Sequence, residues 1–194
     1  MKKTKVMTLM ATTTLGALAL VPMSALAVDG GYQTNGAIQF APNTNPTNPV
    51  DPTNPDPDKP ITPVDPTDPT GPKPGTAGPL SIDYASSLSF GEQTITSKNM
   101  TYYAETQKYK DNAGVDQEGP NFVQVSDNRG TETGWTLKVK QNGQFKTEAN
   151  QELTAAKVTL SNGRVVSASQ SAKPTTAPAT IELNPTGAES VVMA

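Results

Sequence analysis

Lys138 and Lys140 share one parity of the stretch GWTLKVKQNG, residues 134–143. In an extended chain alternate side chains point to opposite faces, so the two lysines project together with Thr136. Such a face can meet an anionic polymer. It can equally be a solvated face, or the charged margin that blunts an edge strand. The other parity carries Trp135, Leu137 and Val139 and reads as the buried side, with the only tryptophan as a core anchor.

Carboxylates are the second chemical resource. Asp111, Asp116 and Glu118 lie in YKDNAGVDQEGP, read as a loop. Asp127 and Glu132 lie in SDNRGTE, read as a turn around Arg129-Gly130. A glycosidase needs two carboxylates at a set separation, but an acidic, loop-rich chain offers pairs everywhere, so none is assigned. DNAGVDQE lacks the ordered acidic positions of a calcium loop. The chain has no histidine and no cysteine. That excludes His-assisted nucleophilic catalysis, zinc sites built on His or Cys, and disulfides. No catalytic, cofactor-binding or metal-ligating residue is assigned, and no enzyme activity or cofactor is expected. Asn99-Met100-Thr101 fits a glycosylation acceptor, a match short enough to arise by chance. Tyr102, Tyr103 and Tyr109 would either form a small aromatic patch or divide, with one of the adjacent pair facing the core.

The elements that position these residues are strands. LSIDYASSLSFG sets Leu80, Ile82 and Tyr84 on one parity, and NFVQVSD and GWTLKVKQ alternate in the same way. AKVTLSNGRVVSAS reads as a hairpin closed by a type I′ turn at Asn162-Gly163, with Asn142-Gly143 as a second such turn. TIELNP adds a short strand, and no helical spacing is sustained. The expectation is an all-β, sandwich-like domain over residues 80–194.

Upstream the composition differs. Residues 1–27 read as a secretory signal: Lys2, Lys3 and Lys5, an apolar run from Val6 to Met23, and Ala25-Leu26-Ala27 with cleavage after Ala27. Removing it takes three of the 15 basic residues and none of the 18 acidic ones, which moves the net charge from −3 to −6. A nucleic-acid partner is thereby disfavoured, and no membrane span is expected after signal removal. Residues 28–41 form an island with a strand end at Ala37–Phe40. Residues 42–79 hold 13 of the 18 prolines. Proline fixes φ and removes a donor, so this stretch is expected to be a disordered insertion or an extended spacer reaching on the order of 100 Å.

Together these residues resemble the WxL-domain surface proteins of low-GC Gram-positive bacteria. The resemblance is carried by TNGAIQFAPNTNPTNPVDPTNP, PGTAGPLSIDYASSLSFG, GPNFVQVSDNRGTETGWTLKVKQ and ELTAAKVTL, with Trp135-Thr136-Leu137 as the W-x-L motif. It implies a secreted protein whose β domain holds non-covalently to the cell wall through peptidoglycan. It also implies other exported surface proteins nearby, among them a WxL-interacting partner. An adhesin or surface-complex subunit, binding such a partner or host matrix, is the alternative. The resemblance makes the island at Tyr32–Phe40 a strand of the same domain and the Pro-rich stretch an insertion after it. The family's distal motif, Y-x-x-x-L-[TS]-W, has no counterpart near AESVVMA. The expectation is therefore a truncated C-terminus and an incomplete β domain. Lys138 and Lys140 are the candidate wall contacts.

Overall fold

The computed structural model describes residues 3–9, 32–174 and 179–194. Apart from Lys3–Leu9, the expected signal segment and its cleavage site at Ala27 lie outside the described residues. The chain divides into two units, Met1–Pro42 and Asn43–Ala194. The described residues form strands and short turns, and no helix among them is long and apolar enough to cross a membrane.

In the first unit β1 (Lys3–Leu9) pairs antiparallel with β2 (Tyr32–Ile38), Lys3 opposite Ile38 and Leu9 opposite Tyr32. The second unit carries β3 (Thr62–Pro63), β4 (Leu80–Ala85), β5 (Gln107–Lys110), β6 (Asp116–Gly119), β7 (Val123–Asp127), β8 (Leu137–Asn142), β9 (Thr159–Ser161), β10 (Thr180–Glu182) and β11 (Thr186–Met193). Its hydrogen bonding makes four small antiparallel sheets, β3–β5–β6, β4–β7, β8–β11 and β9–β10.

The Pro-rich segment departs from the disordered spacer expected of it. From Asn43 on it belongs to the second unit and is bonded to that unit's strands. Its Asp-Pro-Thr tripeptides are self-capping turns rather than polyproline rungs. In Asp51-Pro52-Thr53, Asp65-Pro66-Thr67 and Asp68-Pro69-Thr70, the aspartate Oδ1 accepts both the threonine amide and its hydroxyl at 2.7–2.9 Å. Proline presets φ at the turn's second residue, and aspartate mimics a backbone acceptor before it. Between turns the chain reaches partners. Pro63 joins the sheet opposite Tyr109, on the edge strand β3, where a missing amide donor is tolerated. Ile61 is buried, and Ser87 donates to Asp65 Oδ2 at 2.7 Å. Gln107, 2% exposed, accepts from the Tyr84 hydroxyl and donates to the carbonyls of Val64 and Lys108.

β4 corrects the expected parity. Ser81 and Asp83 are buried, while Leu80 and Ile82 are 37% and 38% exposed. The register with β7 shifts between Ile82 and Tyr84, a bulge that adds Asp83 and returns Tyr84 to the inside. Tyr84 then packs on Phe122, ring centroids 4.8 Å apart. Buried Asp83 is satisfied by three donors: Ser81 Oγ at 2.7 Å, Ser126 Oγ at 2.6 Å and Gln124 Nε2 at 3.0 Å. Gln124 also accepts from the Val50 amide and donates to the Asn48 carbonyl, which ties the start of the Pro-rich segment to this sheet. Its end is tied to β4: Thr76 N donates to the Ile82 carbonyl and Ile82 N to Thr76 Oγ1, both at 2.8 Å.

Two other expectations are corrected. YKDNAGVDQEGP is a β-hairpin, β5 to β6, whose turn is capped by Asp111 accepting the amides of Ala113 and Val115. Neither Asn-Gly pair closes the predicted hairpin. Only Asn162 of the first pair and only Gly143 of the second have positive φ, where a type I′ turn needs both residues there. β9 pairs with β10 instead of the chain after Gly163, and β8 runs through Asn142 to pair with β11.

Candidate functional site

The motif residues and both candidate lysines sit on or beside the β8–β11 ribbon. β8 starts at Leu137, so Trp135 and Thr136 precede the strand. Leu137 is buried, Val139 half-buried, and Trp135 half-buried rather than enclosed. The tryptophan is therefore a flank of the strand and not its core plug. The difference arises because hydrogen bonding to β11 begins only at Leu137, opposite Met193.

Lys138 and Lys140 do share the outward face. β11 contributes to it, since residues directly opposite in an antiparallel pair lie on the same side. Val191 stands opposite Lys138 and Glu189 opposite Lys140. Lys138 Nζ reaches diagonally to Glu189 Oε2 at 2.9 Å. That hydrogen bond, with the charges of Lys138 and then Lys140, holds the Glu189 carboxyl below its ordinary range. The face is accordingly mixed in charge: two ammonium groups around one carboxylate. A register irregularity in β11 between Thr186 and Glu189 aims the acid at this place. Sequence reading missed Glu189 because its partner lies 51 positions away. Nothing in the residues of AESVVMA names the strand it pairs with.

The other carboxylates serve the fold. Asp116 pairs with Lys110 at 2.6 Å, and Glu118 accepts from Thr106 Oγ1. Asp127 holds Arg129 at 2.7 Å, and Arg129 in turn donates to the Gly134 carbonyl, which fixes the loop leading to Trp135. The Arg129 hydrogen bond is the main cause of the lowered Asp127 carboxyl. Glu132 sits at positive φ in the same loop. Among the described residues no group of three or more acids could hold a metal ion. The tyrosines do not gather: Tyr109 is buried, while Tyr102 and Tyr103 are 39% and 85% exposed. The adjacent pair does not split between core and solvent either, because that segment is not a strand.

The family model for the WxL domain, described as surface cell wall-binding, matches residues 27–194. Comparisons with curated proteins and with solved structures gave no significant match.

Proposed function

The chain belongs to the WxL family of cell wall-binding surface domains, and on that premise we propose that it attaches non-covalently to the wall by binding peptidoglycan. The family match over residues 27–194 is the observation that carries this reading. The protein is exported under its N-terminal signal and acts by binding, not catalysis. The sandwich-like architecture belongs to this proposal as well.

The outward face of the β8–β11 ribbon supports contact with a polymer of mixed character. Lys138 and Lys140 offer donors, and Glu189 offers an acceptor. Trp135 and Leu137 hold the strand from its inner side and its start. Co-sedimentation of the purified chain with protein-free Gram-positive sacculi tests the proposal. Retention on the wall, reduced by changing Lys138 and Lys140 to Ala, is the expected result. A chain that stays in the supernatant overturns it.

A second reading has its own observation. Ile95 is 98% exposed and Tyr103 85% exposed on the irregular stretch between β4 and β5. A protein partner, such as a WxL-interacting protein or host matrix, would cover these side chains. Retention on sacculi that still carry their proteins, with none on stripped sacculi, would select this reading.

A further inference from the structure

The Pro-rich segment and the β5–β6 hairpin enclose a cleft of about 270 Å³, apart from the β8–β11 ribbon. Ile61 and Tyr109, each 6% exposed, are buried beneath it. Asp51 and Asn54 stand on one side, Asp111, Asn112 and Gln117 on the other. The tyrosine ring is held in place by a residue without a side chain. A Cβ on Gly119 would lie 3.3 Å from Tyr109 Cε1 and 3.6 Å from Pro52 Cγ.

The hydrogen-bonding capacity of the cleft is only partly used by the fold. Asp51 gives Oδ1 to its own turn, and its Oδ2 has one long contact, from the Tyr109 hydroxyl at 3.4 Å. Asp111 likewise gives Oδ1 to its turn, and its Oδ2 has one contact, from Gln117 at 3.2 Å. Among the described residues the side-chain amides of Asn54 and Asn112 make no hydrogen bond. The cleft thus offers two carboxylate oxygens and two amides that both donate and accept.

We propose that this cleft binds a neutral saccharide unit. The proposal rests on the wall-binding reading and names the part of the wall recognised. Sugar hydroxyls donate and accept, which matches amides flanked by carboxylates. An ammonium ligand would only donate and would leave the amide donors unpaired. A phosphate polymer would meet Asp51, Asp56 and Asp111 against the single Lys59, which is already paired with Asp56 at 2.9 Å.

The test is an amide-resolved NMR titration of the whole chain with a β-1,4-linked N-acetylglucosamine tetramer. Parallel arms use L-alanine amide as a hydroxyl-free amine and inorganic phosphate as an anion. Shifts confined to residues 51–61 and 109–119 with the tetramer are expected. The N54A/N112A variant should bind about tenfold more weakly, the loss of two modest hydrogen bonds, with an unchanged thermal transition. The proposal is overturned by tetramer shifts mapping elsewhere, by none at all, or by a response only to the amine or phosphate. Sacculus co-sedimentation separates the two readings. A wild type that pellets without tetramer shifts in the cleft loses only the cleft. A wild type that shifts there but does not pellet loses the wall-binding reading and keeps the saccharide site.

Discussion

Lys138 Nζ and Glu189 Oε2 lie 2.9 Å apart across the β8–β11 ribbon, so the more N-terminal of the two candidate lysines already has an acidic partner. Glu189→Gln should therefore free positive charge on that face. If the lysine face contacts anionic wall, E189Q raises retention on sacculi at low salt, and the gain disappears as salt is raised. The melting temperature should not move, because both side chains are about half exposed, at 51% and 55%. Equal retention of wild type and E189Q at every salt concentration would remove these lysines from the binding face.

Asp83→Ala strikes the buried network beneath β4. It leaves Ser81 Oγ, Ser126 Oγ and Gln124 Nε2 without their shared acceptor. The expected loss is about 3 kcal/mol in urea unfolding, since orphaned buried donors cost more than the bonds themselves stabilise. Limited proteolysis should also open the Asn48–Val50 stretch, which Gln124 holds.

Gly75→Ala tests the other end of that segment. A Cβ there would lie 2.6 Å from the Asp83 carbonyl oxygen and 2.7 Å from that of Ile82. Backbone atoms cannot yield as a side chain would, so the segment must move off β4. A cost of about 1–3 kcal/mol is expected, as in overpacked interiors. Hydrogen exchange at Ile82, whose amide bonds Thr76 Oγ1, reports the separation directly.

Trp135→Ala and Leu137→Ala should rank against intuition. A fully buried tryptophan would cost about 3–5 kcal/mol on truncation. Trp135 is half-buried ahead of the strand, so about 1–2 kcal/mol is expected, below the cost at Leu137, which is 9% exposed. Equilibrium unfolding of the two variants checks the order.

On the acid side of neutrality, stability should fall only within the range where carboxylates titrate. Ser87 and Thr67 hydrogen bonds lower the Asp65 carboxyl, and the Val115 amide lowers Asp111 against its desolvation. For Asp51 desolvation works upward, and the Thr53 hydrogen bonds outweigh it. A carboxyl with a depressed folded pKa stabilises above its unfolded value, here 3.8, and loses that as pH falls through the folded one. With no histidine in the chain, the urea midpoint should stay level from pH 7 to 5 and drop below about pH 4. A drop between pH 7 and 5 would contradict this.

Strand positions were legible where alternation was strong, as at Val123–Asp127 and Leu137–Asn142. Pairing was not, because register depends on partners distant in sequence, 51 residues apart for Lys138 and Glu189. The parity of LSIDYA was misread because one extra residue in a bulge reverses faces mid-strand, and local alternation does not reveal it. The Asp-Pro-Thr turns were readable in principle. Their signal is the acceptor before proline and the hydroxyl after it, which an argument from proline content alone discards. The lysine face was legible as a face; its carboxylate was not.

The Pro-rich segment has both ends on one two-stranded sheet, Asn48 and Val50 at Gln124 and Thr76 at Ile82. Under tension it therefore behaves as a buckled strap rather than a tether. A pull on the chain near Asn43 first loads the bonds of Asn48 and Val50 to Gln124 in the β4–β7 sheet. Slack appears only once they break. The released length, at about 3.1 Å per extended residue, then grows only as β3 leaves β5.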